Sequence, residues 1–317
     1  MAKIIVAHIC IMLLAACLVA DETAPKDKSL IVRKTEKTIV CKDADGAETE
    51  LNKFPKRTVI CYTSFVGLWH LAGGSAVGMV DTMYKTNLPE PCRELTTVGG
   101  FANPNAERIL SLKPDFVILT ARAEKQRALK TMLKERGIQC IALDYENYGD
   151  FRSLLQLFME LNDKKSGDNP LEAKIVAEVN TLIEKAAKLK GPRFIVLAAS
   201  ADISREDPNS NTSRIASLLG GKNICQNGRG AEKYSLEKLV MEDPDLILFT
   251  TKSDTAKIEE KMKAELFSNP AWQRLRAAQS GRVFFLPPFL FVFKANEKFP
   301  DAFRHMAKLL YPNEQWD

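Results

Sequence analysis

Apolar and polar positions alternate along this chain in blocks that read by turns as strand and helix. Residues 58–62 (TVICY) are a β-rich run that predicts a first core strand. Residues 64–72 then set Phe65, Leu68, Trp69 and Ala72 on one helical face, and Gly73-Gly74 ends that helix. A short strand is expected at 76–80, a basic amphipathic helix at 124–136 capped by Gly137, and a strand at 140–143. Residues 163–169 are polar and interrupt the pattern. From Pro170 to about Lys190, Leu171, Ile175, Val179, Leu182 and Ile183 keep helical spacing, and Gly191-Pro192 stops the run. This predicts a stiff connector roughly 30 Å long at 1.5 Å per residue. A second series follows: a strand at 193–197, a polar loop at 200–211, a helix ending in Gly220-Gly221, a strand at 284–286 and a last helix at 301–310. Strands alternating with helices indicate parallel sheets covered by helices.

One segment occurs twice. Residues 105–120 (NAERILSLKPDFVILT) align without a gap on residues 235–250 (SLEKLVMEDPDLILFT), with Glu107, Pro114, Asp115 and Thr120 recurring as Glu237, Pro244, Asp245 and Thr250. Each copy reads as a short helix, a Pro-Asp break and an apolar strand. Two copies of one supersecondary unit imply two similar lobes, and a cleft between lobes is where a ligand binds. Asn103-Pro104 reads as a cap with proline at the first helical position, and Ser235 as the cap of the second copy. Glu107 and Glu237 fall in the first turns, where the helix dipole favours carboxylates.

Composition narrows the class. With 317 residues, 45% apolar and 27% charged, the chain has room for two globular domains. The net charge of +5 suits an anionic ligand, while the lack of a Lys/Arg run argues against nucleic-acid binding. Lys3 and the apolar run 4–16 have the form of a secretory signal. Residues 14–17 (LAAC) resemble a bacterial lipobox, in which Cys17 becomes the lipidated N-terminus. Ordinary cleavage after Ala20 is the alternative, but Leu18 fits its small −3 position poorly. Loss of residues 1–16 removes only Lys3 from the charge count. Residues 17–37 are expected to be a polar tether, 38–166 an N-terminal lobe, 167–191 the connector and 192–317 a C-terminal lobe. Cys41, Cys61, Cys92, Cys140 and Cys225 show no metal-site spacing. An oxidising compartment allows one or two disulfides among them and leaves at least one thiol unpaired. Cys61 and Cys140, in or beside strand-like runs, are expected to be buried and inert.

Four further segments carry a resemblance: residues 211–224 (NTSRIASLLGGKNI), 269–272 (NPAW), 278–284 (AQSGRVF) and 290–296 (LFVFKAN). With the repeat and the lipobox, they make residues 57–312 resemble the class III substrate-binding lipoproteins of bacterial ABC importers for iron-siderophores, haem and cobalamin. The resemblance implies an α/β fold: two doubly wound parallel-sheet lobes joined by one long connector helix, with limited hinge motion. It implies a monomer, anchored by lipid at the periplasmic or outer face of a bacterial membrane, that serves an ABC permease and its ATPase. It also implies that Glu107 and Glu237 pair with permease arginines. Where haem binders of this family often carry tyrosine, this chain has Gly100-Phe101, which favours an iron chelate such as a ferric siderophore.

Ligands of parallel α/β lobes meet the loops at the carboxyl ends of strands. These loops are 62–65, 99–103, 120–122 and 145–148 in the first lobe, and 200–211, 229–234, 250–252 and 287–296 in the second. They offer Tyr62, Phe65, Phe101, Tyr145, Tyr234, Phe291 and Phe293 for stacking, and Thr63 for hydrogen bonding. Arg122, Arg205, Arg229, Lys252 and Lys294 are available for anionic oxygens. His70 and His305 read as structural, so no metal ligation and no cofactor are expected. No HExxH, GxSxG, GxGxxG or P-loop occurs, so the sequence offers no catalytic residue.

Overall fold

The computed structural model describes residues 29–82, 85–164, 170–200, 202–225, 232–252 and 254–317. The first lobe is built on a five-stranded sheet in the order Gln139–Leu143, Phe116–Thr120, Thr58–Ile60, Ala76–Met79, Thr96–Thr97, and every pairing is parallel. The chain winds outward in both directions from Thr58–Ile60, which is the doubly wound order. It leaves a switch point between Thr58–Ile60 and Phe116–Thr120, where the crevice for a ligand opens. The second lobe repeats the arrangement around Arg193–Ala199, parallel to Leu246–Thr250, with Val283–Phe285 beyond. Its other edge departs from the expected parallel sheet. There Ile203–Arg205 and Glu232–Lys233 run antiparallel.

The repeated residues do the same work in both lobes. The Asp115 carboxylate accepts the Lys56 and Arg57 N–H groups at 2.7 and 2.9 Å, and Asp245 accepts the Arg193 N–H at 2.9 Å. Each aspartate thereby fixes the start of its lobe's central strand. The guanidinium groups of Arg57 and Arg193 donate at 2.8 Å to the carbonyls of Leu112, just past helix Ala106–Ser111, and Glu242, at the end of helix Leu236–Glu242. Lys113 and Asp243, at matching places in the repeat, both take the left-handed backbone that closes those helices. Ser235 caps the second helix as expected, accepting from Lys238 N–H. In the first copy the cap is Asn105, which accepts from Arg108 N–H at 2.9 Å. Asn103-Pro104 pairs instead with Gly99-Gly100 as a small hairpin.

The connector Pro170–Ala186 is a 17-residue helix, about 26 Å long. It ends earlier than expected because the chain after Ala186 turns into the second lobe. Ile175, Val179, Leu182 and Ala186 are buried, while Leu171 is exposed. The lobes also touch directly. Tyr148 and Phe151 of helix Tyr148–Leu161 meet Phe299 and Phe303 of helix Phe299–Leu310, with ring centres 4.9–5.2 Å apart. Each such pair contributes about 0.5–1.5 kcal/mol beyond its buried area. One continuous apolar core therefore crosses the lobe boundary, which restrains hinge motion.

Within the expected tether, Ile31–Lys34 is a strand. It pairs antiparallel with Thr38–Lys42, which pairs with Glu48–Asn52. The small sheet buries Ile39, Cys41 and Leu51, and docks on the edge of the first lobe where Ala44 N–H donates to Ala142 C=O at 3.0 Å. The alternation in residues 48–52 is the period-2 signal for this strand. The signal segment and Cys17 lie outside the described residues. The five cysteines are all free and buried, so none of the permitted disulfides forms. Burial pushes the Cys61 thiol up to about 12 and also raises that of Cys140. Both are poor nucleophiles at neutral pH.

Candidate ligand-binding site

A cavity of about 750 Å³ lies between the lobes at the carboxyl ends of the central strands. Tyr62 and Thr63 reach it from the end of Thr58–Ile60, and Arg122 from the end of Phe116–Thr120, the two strands flanking the switch point. Phe101 enters from its hairpin. Lys252, Phe293 and Lys294 come from the second lobe. These seven are sequence-expected residues that the fold brings together. Phe101 and Phe289 are large apolar side chains left 39% and 48% exposed, which suits them to stack on a ligand. Tyr62 packs against Phe101 with ring centres 5.5 Å apart.

Five expected residues lie elsewhere. Phe65, Tyr145 and Phe291 are buried in the shared core. Phe65 falls on the inward face of helix Thr63–Leu71 and stacks on Tyr145, with centres 6.1 Å apart. Tyr145 spends its hydroxyl on Asn296 Oδ1 at 2.8 Å, and Phe291 packs beside His305. Arg205 is buried on the antiparallel strand Ile203–Arg205, where Glu232 of the neighbouring edge strand holds its guanidinium at 2.9 Å. Tyr234 is buried near Cys225 and Glu242. Within the expected loop 200–211, Ile203–Arg205 is a strand of that antiparallel pairing. Arg229 lies outside the described residues. A second depression, of about 630 Å³, is lined by Arg205, Lys222 and Glu232.

The lining also holds residues that the sequence did not single out: Asp81, Leu88, Pro89, Asn296, Glu297 and Lys298. Asp81 immediately follows the strand region 76–80, so its place at a strand end was available as a signal. Asn296 sits at φ 50° and is 8% exposed. Its side chain takes the Tyr145 hydroxyl and donates to Ser64 C=O at 3.1 Å, stitching the lobes together beneath the cavity. Gly67 leaves the room it needs, since a Cβ there would meet Asn296 Nδ2 at 2.9 Å.

Gln126 is the largest omission. It is fully buried on the inner stripe of helix Glu124–Glu135, in line with Leu129 and Leu133. Its Oε1 accepts Thr120 N–H at 2.9 Å, and its Nε2 donates to Cys61 C=O at 2.8 Å and Phe101 C=O at 2.7 Å. One amide thus ties together three loops that face the cavity. A polar side chain within an apolar stripe was the sequence signal. Gln126→Leu should cost about 3 kcal/mol in urea unfolding, because it strands buried backbone groups. It should also weaken ligand binding through the loosened Phe101 hairpin. Unchanged stability would contradict this role.

The charges are arranged around the loop after Gln139–Leu143. Arg122 is ion-paired with Glu146 and lies 3.9 Å from Asp144. The Asp150 carboxylate accepts the Glu146 and Asn147 N–H groups at 2.7 and 3.1 Å, which holds that loop in place. Burial raises the Asp144 and Asp150 carboxyls above their ordinary range. The Lys294 ammonium donates to Glu146 C=O at 2.6 Å across the cleft. Burial and the nearby Arg122 charge bring it down to about 8.

Two α/β lobes joined by a rigid helix, with an aromatic and cationic cavity at their facing strand ends, define a two-lobed ligand-binding protein. The chain belongs to the periplasmic binding protein family, whose profile matches residues 59–290. It is 28% identical over 281 residues to the Fe(3+)-citrate-binding protein YfmC of Bacillus subtilis, with 86% of each chain covered. The fold matches an ABC transporter substrate-binding protein from Listeria monocytogenes with a TM-score of 0.70 at 22% identity, over 82% of this chain and all of that one. It also matches the siderophore-binding protein BauB, solved with acinetobactin and ferric iron. There the TM-score is 0.67 at 18% identity, over 88% of this chain and all of the other.

Proposed function

We propose that the protein is the extracytoplasmic substrate-binding component of an ABC importer, capturing a ferric chelate and delivering it to the permease. The observation that carries this reading is the interlobe cavity, with Tyr62, Phe101, Phe289 and Phe293 beside Arg122, Lys252 and Lys294. Aromatic faces suit a flat organic chelator, and cations suit the carboxylate or catecholate oxygens that hold ferric iron. The iron-citrate and siderophore relatives support the same class of ligand. Glu107 and Glu237, exposed in the first turns of the two repeat helices, are the proposed contacts for permease arginines. Lipidation at Cys17 is the proposed anchor to the bacterial membrane.

Calorimetric titration with ferric citrate, a ferric catecholate, haemin and cobalamin tests the assignment. Saturable binding of an iron chelate at micromolar or lower concentration is expected, and silence with all four would remove it. Haem is the second reading. Tyr62 lines the cavity, and tyrosine can hold haem iron. Tight binding of haemin alone would select it.

A further inference from the structure

Two carboxylates stand among the described lining residues of the interlobe cavity, Asp81 from the first lobe and Glu297 from the second. Neither is ion-paired with a described residue. The acids that pair with Arg122, Asp144 and Glu146, lie outside that lining. Lys298, next to Glu297 in the chain, holds its ammonium 6.0 Å from the centre of the Phe289 ring. Asp81 is fixed in place. Its N–H donates to Gly99 C=O at 2.7 Å and its Oδ1 accepts Thr82 N–H at 3.0 Å, which leaves Oδ2 for a ligand.

Strand order separates these acids from the cations. Arg122 follows Phe116–Thr120, Tyr62 follows Thr58–Ile60 and Asp81 follows Ala76–Met79, and the three strands are successive neighbours. Two strand spacings, about 10 Å, therefore lie between the arginine's strand end and the aspartate's, with Tyr62 in the middle. The facing segment of the second lobe runs in the same sense. Lys294 is bonded to the Glu146 carbonyl, in the loop after Gln139–Leu143, the edge strand beyond Arg122. Two residues on, Asn296 lies on the opposite side. A Cβ on Gly67 would be 2.9 Å from the Asn296 amide and 4.0 Å from Pro89, on the stretch of chain that follows Asp81. Glu297 comes next and shares that side.

An ionised carboxylate only accepts hydrogen bonds, so it matches an ammonium and repels a further anionic oxygen. We propose that Asp81 and Glu297 form a second subsite of the cavity, which takes a protonated amine on the bound chelate about 10 Å from the oxygens held at the Arg122 end. The ligand class is then an amine-bearing ferric chelate, with its iron-holding oxygens toward one end of the cavity and a cation at the other. The inference rests on the importer reading above and names the class of chelate within it.

The test is calorimetry on the whole protein with ferrioxamine B, a ferric trihydroxamate with a free terminal ammonium, with its N-acetylated form, and with ferric citrate. The first two differ only at that amine. Wild type should bind the ammonium form about tenfold more tightly than the acetylated one, the scale of a charge-assisted hydrogen bond. Asp81→Asn together with Glu297→Gln keeps the side-chain shapes and an acceptor for Thr82 N–H, and should erase that preference. The same variant should bind ferric citrate about twofold more tightly, because two negative charges have left the surroundings of an anion. A merely structural role would weaken all three ligands alike. Equal binding of the amine pair by wild type, or a preference that persists in the double variant, would overturn the proposal and leave the importer standing. So would binding of ferric citrate with neither trihydroxamate bound. Failure of wild type to bind any of the three would overturn the ferric-chelate reading as well.

Discussion

Reversing both repeat glutamates, Glu107→Arg together with Glu237→Arg, is expected to abolish cellular uptake of the chelate while leaving its affinity for the protein unchanged. The two residues occupy the same place in the two copies of the repeat, on capped helices that lie outside the cavity lining. Both are exposed. Backbone hydrogen bonding at the helix start, then the Ser235 hydroxyl, holds the Glu237 carboxyl below its ordinary range, so it is ionised at neutral pH. An exposed charge contributes little to folding, so the variant should fold. Facing a permease arginine, each reversal replaces an attraction by a like-charge repulsion. Loss of two pairs should lower radio-iron uptake by more than about a hundredfold, and a tenfold fall in chelate affinity would disprove the docking role. Single reversals should give intermediate losses.

Gly191→Ala should unfold the second lobe at markedly lower denaturant than wild type. A Cβ at Gly191 would sit 1.9 Å from the Gly220 carbonyl oxygen and 2.5 Å from its carbon. Both are backbone atoms, fixed by the turn in which Gly220 takes φ 83°, so no side chain can rotate away. Overpacking of this kind costs about 3 kcal/mol or more. The clash falls where the chain passes from the connector into strand Arg193–Ala199, so the lobe junction should fail first. Gly137→Ala is the control. No atom lies within 4 Å of its would-be Cβ, and only its left-handed backbone at φ 72° resists. That costs about 1–2 kcal/mol. Equal destabilisation of the two variants would show that the close approach at Gly191 is not the decisive contact.

Local pattern carried much of the architecture. The inward face of helix Thr63–Leu71, the strand and helix of each repeat copy and the connector were all legible, because each rests on spacing within a few residues. The antiparallel sheet at residues 31–52 has little local signal, since its strands are four or five residues long and two of the three are mostly exposed. At the site, the loops after the central strands were legible from the rule for parallel sheets. Which side chains of those loops face inward was not. Phe65 and Phe101 are both aromatic and both near a strand end, yet one is sealed in the core and the other stands at the cavity.

What the amino-acid sequence determined by itself is the set of elements, their duplication and hence two lobes with a cleft. Periodicity and turn chemistry act between neighbours in the chain. What only the tertiary structure decided is the content of that cleft. Tyr145 is withdrawn by Asn296, 151 residues away, and Lys294 is placed by Glu146, 148 residues away. Gln126 reaches Cys61, 65 residues back. Such contacts depend on how two lobes pack against each other. No local period encodes that packing, and burial, charge and ligand choice at this site all follow from it.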